Sequence, residues 1–189
     1  MNDTEKASRG RPRGFDAAAG IAAAQSAFHA RGYDAVGVAD LCATLGIRPP
    51  SLYAAYGSKR GLFDAAVARY GAETSRAFAD AMDGVTRLAD LRPAILRTAL
   101  DLYLRDGGIG CLVLANMTAT ADDDVRAALA DVIATRRAAM AAKARTLGAS
   151  DEEARTIVDA IAVTMMGLSA AARAGMDRAA LEAVLDRLG

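Results

Sequence analysis

Arg48, Pro49, Ser51, Tyr53 and Ala54 fall on one side of a short segment whose other side carries Leu52 and Tyr56. A guanidinium and a hydroxyl at that spacing can read the hydrogen-bonding edges of bases, and a phenol beside them can reach a phosphate oxygen. Lys59 and Arg60 follow at the start of a longer helical pattern. Two cations there oppose the positive end of the helix dipole, at ~0.3 to 1 kcal/mol each, unless an anion lies nearby. A nucleic-acid phosphate is such an anion. Two solvated surface cations are the plainer account of the same pair.

Cys111 follows Gly108 and Gly110 at a helix start, where a thiolate is favoured. It is a candidate redox or electrophile sensor and the one candidate nucleophile for a helical enzyme; a buried small side chain is the alternative. The enzyme reading lacks a base, an orienting acid and a phosphate-binding glycine loop at sensible positions, so no catalysis is expected. Cys42 lies on an apolar stripe and reads as core. His29, the single histidine, reads as a surface or boundary residue rather than a ligand. Asp122, Asp123 and Asp124 read as helix capping. No metal and no cofactor are expected.

The elements that must position these groups are helical. Of the 189 residues, 53% are hydrophobic but only 5% aromatic, so the apolar mass is mostly Ala, Leu, Val, Ile and Met. Net charge is zero, yet unevenly spread: residues 1–60 hold eight Lys/Arg against five Asp/Glu, and residues 61–189 hold 15 against 18. A basic module joined to an acidic remainder suggests two jobs. Residues 1–14 read as a flexible arm. Helical patterns then run over 15–31, with Gly32 as a C-cap, over 38–45, and from Pro49-Pro50 to Gly57-Ser58. Further patterns cover 59–82, 91–105, about 110–120, 122–147, 150–174 and 177–188. No segment alternates as a strand. The cysteine spacing fits neither a disulfide framework nor a zinc site, and no signal segment or long charge-free apolar run is seen. A cytoplasmic protein without a membrane partner is expected.

The helix, glycine turn, helix arrangement over residues 38–56 is a helix-turn-helix pattern, although any helical hairpin would give it. Residues 15–63 resemble the DNA-binding domain of the TetR family of bacterial regulators. The resemblance rests on Phe28-His29-Ala30-Arg31-Gly32-Tyr33-Asp34, Val38-Ala39-Asp40-Leu41, Leu45-Gly46-Ile47, and above all Ser51-Leu52-Tyr53-Ala54-Ala55-Tyr56-Gly57-Ser58-Lys59 leading into Leu62-Phe63. It implies that Tyr53 and Lys59 clamp phosphates and that residues 48–54 form the recognition helix. Two features depart from the family pattern: Gly37 stands where a Ser or Thr cap is frequent, and Ala54-Ala55 where bulky polar residues are common. Residues 110–116 are similar to a segment of one broad branch of the family.

The sequence therefore predicts an all-α protein with a helix-turn-helix DNA-binding domain at 1–57 and an effector-binding, dimerisation domain at 58–189. A double-stranded DNA operator, a second copy of the chain and a small, largely apolar effector are the expected partners, with repression by operator occlusion as the expected mode. A nonspecific architectural DNA binder is the rival. Arg9, Arg11 and Arg13, in a run similar to the core of an AT-hook, are expected to follow the minor groove; a solubilising tail is the alternative. Tyr70, Phe78, Tyr103, Cys111, Met117, Met140 and Met166 are the expected pocket residues, or else ordinary core. A homodimer is expected through two stripes on the last two helices: Ile157, Ile161, Met165, Leu168 and Ala172, and Leu181, Val184, Leu185 and Leu188. The small residues Gly167, Ser169, Ala170 and Ala171 would permit close approach.

Overall fold

The computed structural model describes residues 16–188, so the arm, with Arg9, Arg11 and Arg13, lies outside the described residues. The described chain is helical throughout: α1 (Ala17–Arg31), α2 (Val38–Leu45), α3 (Pro49–Tyr56), α4 (Lys59–Asp83), α5 (Leu88–Tyr103), a 3-10 turn at Arg105–Gly107, α6 (Leu112–Ala119), α7 (Asp123–Thr146), α8 (Asp151–Arg173) and α9 (Arg178–Leu188). No strand occurs among the described residues.

Local chemistry sets the boundaries. Asp16 caps α1 by accepting from the Ala18 and Ala19 amides, Ser58 caps α4 through Gly61 N–H, and Ser150 and Glu153 close a reciprocal box at the start of α8. Gly37 has no side chain to offer α2, and the Asp40 carboxylate, accepting from Gly37 N–H at 2.8 Å, secures that turn instead. Pro49 and Pro50 occupy the first turn of α3, where a missing N–H costs nothing.

Helices α1 to α3 fold around Phe28, Leu41 and Leu52, all fully buried, and close on the first turns of α4 through Leu62 and Phe63. Phe28 meets Phe63 edge-on at 5.1 Å between ring centroids, and Tyr33 meets Phe63 at 4.8 Å. Burying one such aromatic side chain contributes roughly 1.5 to 3 kcal/mol. The remaining helices wrap α8, which packs against α5 and α7, with α6 against α7 and α9 against α5. Helix α8 is long and apolar enough to cross a membrane by composition, but its stripe Ala154, Val158, Ile161, Met165, Leu168 and Ala172 is spent on these neighbours.

That packing corrects the expected dimer stripes. Ile161, Met165, Leu168, Ala172, Leu181 and Leu185 are buried within the subunit and Ile157 is partly so, leaving them little surface for a partner. A stripe at helical spacing reports that a face is buried, not what covers it. From α8 to α9 the exposed large hydrophobic residues are Val163, Met166, Met176, Val184 and Leu188, the last two belonging to the expected stripe. Ser169, expected to ease close approach, is buried and accepts a hydrogen bond from Cys111 N–H.

Candidate nucleic-acid interface and the cavity behind it

The short α3 presents Arg48, Pro49, Ser51, Tyr53 and Ala54 to solvent, while Leu52 seats its opposite face in the core. Tyr56 is anchored by its hydroxyl, which donates to the Ala17 carbonyl at 2.9 Å, tying the end of α3 to the start of α1. The join to α4 is held by the Ser58 amide, which donates to the Tyr56 carbonyl at 2.8 Å, and by a close approach at Gly61. A Cβ placed on Gly61 would come within 2.3 Å of the Tyr56 carbonyl oxygen, so only glycine lets α4 begin where it does. Nothing in the residues flanking Gly61 signals this role.

Lys59 does not project freely. Its Nζ lies 4.1 Å above the centre of the Tyr33 ring. Partial burial pulls this ammonium below its ordinary range, and Asp34 and Asp122 push it back up. Arg60 is ion-paired with Asp64 at 2.7 Å. Of the two cations singled out at this helix start, Lys59 is therefore held in place by an aromatic face and Arg60 by its own helix.

His29 is buried, not peripheral as expected from its isolation in the sequence. Its Nε2–H donates to the Gly110 carbonyl at 3.0 Å, and its ring meets Tyr70 edge-on. It belongs to a seam joining α1 and the following turn to α6 and α8. Along it the Tyr33 amide donates to Asn116 Oδ1 at 2.6 Å, Asp34 accepts from the Thr120 hydroxyl at 2.9 Å and from the Ala121 amide at 2.8 Å, and Arg173 donates to the carbonyls of His29 and Ala30 at the end of α1. These amide and hydroxyl bonds hold the Asp34 carboxyl below its ordinary value. Gly110 is central to the seam: its φ is +72°, and an added Cβ would lie 2.6 Å from the Ser169 carbonyl oxygen.

Behind the seam, a cavity of about 220 Å³ opens between α5, α6, α7 and α8. Tyr103, Cys111, Met117, Met140 and Met166, singled out from sequence, all line it, together with Met165, Arg136 and Arg137. Tyr70 and Phe78 do not line it but stand behind it. Phe78 faces the Arg136 guanidinium at 5.9 Å, and Arg136 also donates to the Thr74 hydroxyl. Burial, followed by Cys111, pushes the phenols of both Tyr70 and Tyr103 up, while the Arg136 charge pulls them down, so these four side chains form one electrostatic cluster. Sequence reasoning passed over Arg136, because a cation in a charged helix reads as a solvated one. A more open groove of about 510 Å³ runs along the seam, sharing Leu114, Thr118 and Met166 with the cavity.

Comparison with known proteins agrees with this geometry. The sequence model for bacterial regulatory proteins of the tetR family matches residues 21–66, covering most of α1 to the first turns of α4. The HTH-type transcriptional repressor BdcR of Escherichia coli K12 is 35% identical over 186 residues, spanning 91% of this chain and 87% of its own. The HTH-type transcriptional repressor ComR of the same organism is 32% identical over 147 residues, 75% of this chain and 66% of its own. Among solved structures, a cysteine-substituted form of the TetR family regulator CifR, complexed with 26-bp double-strand operator DNA, superposes with a TM-score of 0.79 at 32% identity, over 94% of this chain and 97% of that one. The solvent-facing α3, the closed three-helix head and the likeness along nearly the whole chain lead to one conclusion: this protein belongs to the TetR family of bacterial transcriptional regulators.

Proposed function

We propose that the protein is a repressor that occupies a roughly palindromic DNA operator as a homodimer and releases it when a small, largely apolar molecule enters the cavity. Residues 1–57 form the reading head in this account and residues 58–189 the sensing and pairing part. Arg48 and Ser51 read base edges while Tyr53 and Lys59 hold phosphates. Operator-bound CifR and the repressors BdcR and ComR support the DNA-binding and repressing parts of the reading.

The observation that carries the switch is the double duty of α6. One side of this eight-residue helix supplies Val113, Leu114 and Met117 to the cavity, and Asn116 on the same helix holds the Tyr33 amide. Tyr33 in turn carries the Lys59 ammonium on its ring. A ligand that displaces α6 must therefore disturb the residues on which a phosphate contact rests. This path through α6 is short beside the one along α4, which runs from Lys59 past Tyr70 to Phe78. Coupling of ~1 to 3 kcal/mol would change operator affinity ~5 to 150-fold, and DNA must weaken the ligand by the same factor.

For pairing, an uncovered face of α8 replaces the stripe expected there, and the exposed part of the expected α9 stripe is kept. Val163, Met166, Gly167 and Ala170 lie along one exposed side of α8, and Val184 and Leu188 along one side of α9. Four such helices, two from each subunit, would set two recognition helices about one DNA turn, ~34 Å, apart or a multiple of it.

The test is a ligand found by thermal shift, titrated against the protein on an operator selected from random DNA. Release of the operator by the ligand is expected. Asn116→Ala should leave ligand binding in place while cutting the ligand's effect on DNA several-fold. A ligand that stabilises the protein yet leaves operator affinity unchanged would defeat the mechanism, and a monomer at micromolar concentration would defeat the pairing.

A further inference from the structure

Two polar atoms of the cavity have no partner. Tyr103 Oη and Arg136 Nε are both buried and neither makes a hydrogen bond. Buried donors are nearly always satisfied, so two unmet ones on residues that line one cavity call for an acceptor supplied from outside the chain. The Cys111 thiol lies beside the Tyr103 hydroxyl and helps to raise the phenol, but sulfur is a weak acceptor and does not take the place of an oxygen partner.

The half-buried Arg136 also lacks an ion-pair partner among the described residues. Its next neighbour, Arg137, is neutralised by Asp159 across to α8. Arg136 has only the Thr74 hydroxyl and the face of Phe78, with no carboxylate in ion-pair reach among the described residues, and no acidic side chain is among those lining the cavity. Apart from Cys111, Thr118 and the paired Arg137, the rest of the wall is thioether and hydrocarbon, Met117, Ile133, Met140 and Met165 among it. A guanidinium held in such surroundings favours an anion, and a phenol beside it donates well to the same oxygen.

Building on the reading that the cavity takes the effector, we propose that this effector is an apolar molecule carrying one carboxylate, whose oxygens accept from Arg136 Nε and Tyr103 Oη. Size narrows the class further. A cavity of about 150 Å³ holds benzene, so 220 Å³ suits one ring or a short chain together with its carboxylate.

The probes are benzoate, phenylacetate and octanoate, each paired with its methyl ester, titrated by calorimetry at pH 7 into the full-length protein. At least one acid is expected to bind once per subunit, about tenfold or more tighter than its ester. Arg136→Met should bring that acid down to the ester's affinity, Arg136→Lys should restore part of the difference, and Tyr103→Phe should weaken the acid several-fold while sparing the ester. Far-ultraviolet circular dichroism and melting of each variant identify any that has lost its fold, and Tyr103→Phe, which keeps the ring, then decides. An ester that binds as well as its acid, an acid indifferent to both substitutions, or no binding of any acid at millimolar concentration overturns the proposal. The two readings fail separately. A neutral compound that fills the cavity and frees the operator removes the carboxylate but keeps the switch, whereas an Arg136-dependent acid that leaves DNA binding untouched does the reverse.

Discussion

The reading head and the cavity are built from the same helical material by opposite routes. The head takes its candidate contacts from one contiguous stretch, Arg48 to Lys59, and most of them are exposed on a scaffold whose core, Phe28, Leu41, Leu52 and Phe63, lies behind them. The cavity gathers Tyr103, Cys111, Arg136 and Met165 from four helices far apart in the chain, and its lining is also the interior of the protein. Recognition and stability are therefore separable in the head and entangled in the cavity. A surface contact can be removed at little cost to the fold, whereas a cavity residue works and packs at once.

The sharpest way to probe that contrast is the seam between the two regions. Gly110→Ala forces a β-carbon against the Ser169 carbonyl at a backbone angle that other residues avoid, and it should cost about 2 to 3 kcal/mol in urea unfolding. It should also blunt any coupling between ligand and DNA, since the Gly110 carbonyl is the acceptor for His29. A fully stable Gly110→Ala protein would mean that the seam is slack and that the two regions are mechanically independent.

Arg48→Ala tests the other side. The residue is exposed and makes no capping bond, so the melting temperature should hold within a degree or two while affinity for the selected operator falls by ~1 to 3 kcal/mol, with a smaller loss on random duplex. Fluorescence anisotropy on both DNAs measures this. Equal losses on the two would make Arg48 a phosphate contact instead of a base reader.

The smallest effect concerns acid. Asp34, held below its ordinary value of 3.8 by the Ala121 amide and the Thr120 hydroxyl, stabilises the fold while it is ionised. That contribution is complete above pH 4 and is lost as the pH falls through the lowered value. The carboxylate is solvent-exposed, so the loss should stay under about 1 kcal/mol. Asp34→Asn should flatten the acid limb of the melting curve below pH 4 and leave the neutral range little changed; an unaltered acid limb would take Asp34 out of the seam.

How much of this was readable beforehand follows the same division. In the head, local signals sufficed: the Leu41 and Leu52 stripes, the Gly32 and Gly46 turns and the Ser58 cap all depend on neighbours a few residues away. In the cavity, soft apolar and aromatic types found five lining residues, because thioethers and phenols are rarely placed at random inside a helical core. What escaped depends on distant partners. Arg136 declares itself only through the absence of a carboxylate, Gly61 and Gly110 only through carbonyls brought up by another part of the chain, and His29 only through an acceptor 81 residues away. Most of the expected dimer-stripe residues prove to be buried within the subunit for a related reason, since hydrophobic spacing in α8 and α9 cannot distinguish a subunit's own helices from those of a second copy.

The methionines around the cavity carry an implication for how such a sensor meets a changing chemical world. Met117, Met140, Met165 and Met166 are unbranched and turn about several bonds, so they can rearrange around guests of different outline at small cost. The pair proposed to hold the carboxylate is short of such freedom, Tyr103 being held by burial and Arg136 by Thr74 and Phe78. If the cavity takes the proposed acid, the receptor would be tolerant about shape and strict about the head group. Its repertoire would drift readily from one hydrophobic tail to another over a few substitutions, while a change of head-group chemistry would require replacing the anchors themselves.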